Sequence, residues 1–195
     1  SSSILEFHSN VAEGQGGGIY SPDANKIIKL TSSRFYENEA YDGGAIAIYN
    51  ELQLGVVGET DITKSFEFES NSADNSGGGI FLGSSGIVKF IIDAVVKFTN
   101  NYADNNGGGI YGDNFLNFGT EYEPLDTFNC DDNEAHIAGG CGYFNNQNEN
   151  VKIYASNSMT FSTNRAQFGG ALYSKSPLVL GSLSNSILYE MSFVS

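Results

Sequence analysis

One unit recurs six times along the chain. It reads Phe-x-x-Asn-x-Ala, a short polar stretch, then Gly-Gly-[Gly/Ala]-[Ile/Leu], usually closed by an aromatic residue. The first copy runs from Phe7, Asn10 and Ala12 to Gly16, Gly17, Gly18, Ile19 and Tyr20. The others start at Phe35/Asn38, Phe68/Asn71, Phe98/Asn101, Cys130/Asn133 and Phe161/Asn164. Successive Asn positions are 28, 33, 30, 32 and 31 residues apart. A period of this length marks a solenoid, in which each unit buries its apolar face only against its neighbours.

About 30 residues hold three short strands and three turns. Apolar residues alternate rather than recur at helical spacing: Phe66 and Phe68 with Glu67 and Glu69, Val96 and Phe98 with Lys97 and Thr99. That parity places the motif Phe inside and the charged residues outside. A second strand follows the glycines, as at Ile46 and Ile48. A third is predicted at Ile27–Leu30 and Val151–Tyr154. Strands coiled and stacked in register make an all-β, right-handed parallel β-helix of about six coils, the hand following from parallel crossovers. Phe7, Phe35, Phe68, Phe98 and Phe161 are expected to stack in one core column. Asn10, Asn38, Asn71, Asn101, Asn133 and Asn164 are expected to form a ladder of amides at a turn. The rival β-propeller has blades of about 40 residues or more.

Composition narrows the partners. With 9 Lys and Arg and a formal net charge of −14, the 195-residue chain repels nucleic-acid phosphates and anionic lipid. Forty per cent hydrophobic residues argue against disorder. No apolar run is long enough for a membrane-spanning helix, and no signal-peptide pattern is present. No Asn-x-Ser/Thr sequon occurs. Phe193 restarts the motif, so residues 1–195 read as a single β-helix segment cut from a longer array, with open ends available for self-association.

At these motifs the chain resembles the polymorphic outer membrane protein repeats of chlamydiae, which pair Phe-x-x-Asn with Gly-Gly-Ala-[Ile/Leu/Val]. Five copies keep Phe-x-x-Asn. The strict glycine motif occurs at Gly43–Ile46 and Gly169–Leu172, and three copies carry Gly-Gly-Gly-Ile. The resemblance implies a surface-exposed or secreted β-helix with a role in adhesion.

The fifth unit departs twice, each time to cysteine: Cys130 replaces the motif Phe and Cys141 the third small residue. Two readings follow, a disulfide across the turn or two buried thiols. The alternation puts Cys141 out of phase with the inward Ile, which counts against the disulfide unless the turn resets the phase. Cys130, Asp131, Asp132 and His136 match no zinc spacing. Asp and Asn clusters such as Asp74/Asn75 and Asp104–Asn106 could hold calcium weakly, but they also suit solvated turns. Tyr20, Phe81, Tyr111, Tyr143 and Tyr173 follow the inward Ile position. They form either an exposed aromatic stripe suited to sugar rings or a ladder stacked on itself.

Catalysis finds little support. Arg34 and Arg165, like His8 and His136, are four units apart, about 19 Å along the axis at a strand spacing of 4.8 Å. No paired carboxylates stand beside a base, and no cofactor motif is present. The expected role is structural or adhesive, on the cell surface or outside it. The alternatives are a subunit of an extracellular fibre and, last, a polysaccharide-active enzyme. Expected partners are protein, through self-association, neighbouring coils or a surface partner, and carbohydrate.

Overall fold

The computed structural model describes residues 4–23, 25–55, 64–90, 94–114, 116–146, 150–181 and 191–194. No helix occurs among them; every strand pairing is parallel, and the chain winds into a β-solenoid. The repeat explains the winding. Residues at the same motif position in successive units are direct ladder partners: Phe7 with Phe35, Phe35 with Phe68, and Phe68 with Phe98.

Each turn presents four faces rather than three. The Phe face comprises strands such as Ser33–Tyr36, Lys64–Glu69 and Ala94–Thr99. The Ile face follows the glycines, at Ile19–Ser21, Ile46–Ile48, Ile80–Leu82 and Ile110–Gly112. The Lys face, named for outward Lys29, Lys89 and Lys152, holds Ile27–Leu30, Glu51–Leu54, Ile87–Phe90 and Leu116–Phe118. The twelve-residue strand Val151–Ser162 runs straight from the Lys face into the Phe face. The fourth, the Ala face, lies in the stretch that reads as a polar loop: Glu39–Asp42, Ser72–Ser76, Tyr102–Ala103 and Glu134–Ala135. Its strands have one inward apolar position, filled by Ala40, Ala73, Ala103 and Ala135, and the second buried position of the two longer strands is polar, Asp42 and Ser76, so they carry no visible apolar alternation.

The core is a column filled by inward rows. Leu52, Val88, Leu116 and Val151 supply one row; Ile46, Ile80 and Ile110 supply another. All are buried, each contributing about 1.5–3 kcal/mol on the usual area scale. The Phe column is continuous over four rings, with centroids 4.5, 5.2 and 4.8 Å apart and planes within 7° of parallel. It does not run on to Phe161 directly. Cys130 occupies the fifth position, and Phe128, two residues upstream, fills the gap with centroids 6.2 Å from Phe98 and 5.7 Å from Phe161. The same displacement occurs on the Ile face: Gly142 stands where other units carry Ile or Leu, and the ring of Phe144 lies over it.

Candidate functional site

The recurring polar residue is Asn, and its surroundings are the most regular feature of the molecule. The residue before each Asn adopts a left-handed conformation: Ser9, Glu37, Ser70, Asn100, Asp132 and Thr163 all have φ between 50° and 56°. None is glycine, so the corner is sustained by its bonds rather than by backbone permissiveness. The Asn supplies those bonds. The Asn71 backbone N–H and Nδ2 both donate to Oδ1 of Asn101, at 3.0 and 2.9 Å, and Nδ2 also donates to the Phe35 carbonyl at 3.0 Å. Asn38 donates in the same way to Asn71, Asn101 to Asn133, and Asn133 to Asn164. Asn10 joins the end of the series by donating to Asn38. Asn38, Asn71, Asn101 and Asn133 are buried. All six amides therefore form one continuous chain of hydrogen bonds, and the interior ones have their donors engaged by neighbouring units.

The glycines work in pairs. The first of each motif, as Gly77, has φ near +70°. The second is excluded from carrying a side chain by its neighbours: a Cβ on Gly78 would lie 2.3 Å from the carbonyl oxygens of both Gly108 and Tyr102.

Cys130 and Cys141 form a disulfide between the Phe strand and the glycine turn, and both are fully buried. The two replacements depend on each other. In other units the third motif position sits against a Phe ring; a Cβ on Gly79 would come within 3.2 Å of the Phe98 ring. Cys130 and Cys141 each supply the other's bonding partner across the turn. Cys141 hydrogen-bonds in register with Ala171 and Ile110 before the Ile strand begins, so the turn resets the alternation that set it out of phase.

The aromatic residues after the glycines are not an exposed stripe. Phe81, Tyr111, Tyr143 and Tyr173 stack at 5.0, 5.3 and 5.2 Å with planes within 5° of parallel. Each ring covers its neighbour's face, which leaves edges rather than faces for a sugar. Phe81 and Tyr143 are buried, and only Tyr20 is exposed. Tyr20 is separated from the rest because unit two carries Ala47 at this position; Tyr49 bridges the interval, 6.4 Å from Tyr20 and 6.0 Å from Phe81. Hydrogen bonds border the ladder: the Tyr111 hydroxyl donates to Asp113, which also accepts from Asn145. Burial and Asp113 together push the Tyr111 hydroxyl well above the usual phenol range.

Asp42 is the buried carboxylate that sequence reasoning missed; no motif marks it. Burial raises its pKa, while donors from Asn75, Gln15 and the Ser76 backbone oppose the rise. The other charged groups are dispersed. Arg34 lies between Glu67 and Glu69, Arg165 is 4.0 Å from Glu134, and His8 is 3.3 Å from Glu37. Asp131 accepts a hydrogen bond from Ser162. Among the described residues no three His, Cys, Asp or Glu side chains converge as metal ligands.

Comparison with known proteins fits this repeat geometry. Residues 4–22, 65–83 and 95–113 match the family model of the Chlamydia polymorphic membrane protein (Chlamydia_PMP) repeat. Three units of this solenoid are therefore similar to that repeat. Each matched stretch runs from the Phe strand through the ladder Asn and the glycine turn to just past the aromatic residue. These are the three Gly-Gly-Gly-Ile units, not the two that carry the strict Gly-Gly-Ala motif. The repeat belongs to a membrane-protein family, which suggests an outer-membrane or surface protein. No curated protein and no solved structure gave a significant match.

Proposed function

We propose that this chain is a structural or adhesive segment of a secreted or surface-displayed solenoid protein, with no catalytic role of its own. The observation that carries the reading is the match of three units to a membrane-protein repeat whose recurring residues are all engaged in building the solenoid. The Asn amides hold the corner, the glycines admit neighbouring backbone, and the aromatic rings cover one another. The buried disulfide supports the same reading, since such bonds persist in oxidising surroundings outside the cytosol. Such a rod holds whatever its outward side chains engage at a fixed distance from its anchor.

The test is adhesion. Beads coated with the purified, oxidised chain should adhere to cells or matrix proteins above the level of beads coated with an unrelated acidic protein. Beads no stickier than that control, together with turnover of a polysaccharide that one carboxylate substitution abolishes, would replace this reading with an enzymatic one.

A further inference from the structure

Two faces that are not neighbours around the coil carry opposite charge. The Ala face presents Glu39, Asp74, Asp104 and Glu134, all exposed, against one arginine, Arg165. Exposed apolar side chains lie among them: Tyr41, Tyr102 and, beside the glycine turns, Ile137 and Phe168. On the Lys face, ladder pairing sets one outward row as Lys29, Gln53, Lys89, Asn117 and Lys152. Lysines therefore recur at every second turn, about 10 Å apart at the usual strand spacing. Glu51 is the one carboxylate beside this row among the described strand residues of that face, and a hydrogen bond from Gln53, with Lys89 and Lys29, lowers its pKa. Ile27 adds exposed apolar surface there.

We propose that copies of this chain pack side by side, the Ala face of one rod against the Lys face of the next. Both surfaces repeat at the same axial step, because one strand spacing sets both, so a carboxylate facing one lysine brings others into register. The tyrosines and Ile27 supply apolar contact that long-range charge alone would not. The two faces differ, so the contact is heterologous and leaves each rod with a free face for a further copy. The result is an open raft rather than a closed dimer. Net charge opposes association at a distance, but exposed charges more than about 8 Å apart are largely screened at physiological salt, so the charges within the contact decide. The inference rests on the reading of the chain as a structural rod and names its partner as a second copy.

Charge reversal tests it. One variant carries Lys29→Glu, Lys89→Glu and Lys152→Glu; the other carries Glu39→Lys, Asp74→Lys and Asp104→Lys. Sedimentation velocity at physiological salt should show concentration-dependent association of the unaltered chain, weakened at least tenfold in each variant alone. A 1:1 mixture should associate again, because the two reversed faces complement each other, as do the two unaltered ones. Circular dichroism melts establish that both are folded. If either is not, the single substitutions Lys152→Glu and Asp104→Lys are read in the same way. A monomeric unaltered chain at high concentration, variants that associate undiminished, or a mixture that stays monomeric would each overturn the proposal. So would lysine-dependent retention of a monomeric chain on an immobilised polyuronate, which would assign the Lys face to an acidic polymer. Beads coated with the monomeric variants separate the two readings: retained adhesion leaves the structural role standing and removes only the raft.

Discussion

Replacing Asn71 with Leu breaks the amide chain at its centre. The side chain makes four hydrogen bonds: two donated, to Asn101 Oδ1 and the Phe35 carbonyl, and two accepted, from the N–H and Nδ2 of Asn38. Two of the partners keep other contacts. Asn38 Nδ2 retains the Phe7 and Tyr36 carbonyls, and Asn101 Oδ1 retains the Asn71 N–H. The others are worse placed: the buried Asn38 N–H loses its acceptor, and the Phe35 carbonyl loses the amide. A buried polar group left unpaired costs about 1–3 kcal/mol, so the substitution should cost roughly 3 kcal/mol after the apolar gain of Leu. In a chain of this size that lowers the melting temperature by roughly 6–12 °C. Asn10→Leu provides the control, because Asn10 is exposed and its side chain only donates within the series; its cost should stay near 1 kcal/mol. Thermal melts of the oxidised proteins, with hydrogen exchange at the Asn38 amide, make the comparison. An Asn71→Leu melt within a degree of the unaltered protein, or equal to that of Asn10→Leu, would refute the reasoning.

The disulfide closes a short loop, and Cys141→Ala should lower stability by about 3 kcal/mol on the loop-entropy scale; a melt indifferent to both the substitution and reductant would contradict this. Gly78→Ala forces a Cβ against two carbonyl oxygens of the next turn and should destabilise by more than about 2 kcal/mol, whereas Gly14→Ala meets nothing within 4 Å and should be neutral or slightly stabilising. Urea denaturation that ranked the two glycines equally would show the close approach to be unimportant. Asp42 has a raised pKa in the fold, so the folded state binds its proton more tightly than the unfolded chain does, and stability falls as pH rises from the ordinary carboxyl range through the folded value. Asp42→Asn should therefore raise the melting temperature at pH 7, with the gain vanishing in acid; a gain that grew as pH fell would reverse the sign of the argument.

The solenoid was legible because its signal is repetition, and six units, five of them with Phe-x-x-Asn, each with glycines five or six residues after the Asn, state the register outright. The outward direction of Tyr111 and Tyr143 was also legible from parity, but not that the first is half-buried and the second buried. Parity gives the side a residue points to, whereas burial there comes from stacking on neighbouring turns and from Asp113 and Asn145 alongside. The Ala face was hidden because two-residue strands such as Tyr102–Ala103 are too short to show alternation. The left-handed residues before each Asn were hidden for a different reason. Ser, Glu, Asn, Asp and Thr occupy that position, and no glycine marks it. The refilling of the fifth unit by Phe128 and Phe144 could have been found from sequence, since both sit two residues from the position that lost its bulk, on the same inward face.

The account rests on a rod displayed outside the cytosol, and one measurement addresses that directly. Intact cells of the source organism are treated with a membrane-impermeant amine reagent. Protein is then alkylated before and after reduction, and the peptides are read by mass spectrometry. The account predicts labelling of exposed lysines such as Lys29 and Lys89, with Cys130 and Cys141 alkylated only after reduction. Unlabelled lysines on intact cells, with both cysteines alkylated as free thiols before reduction, would contradict it.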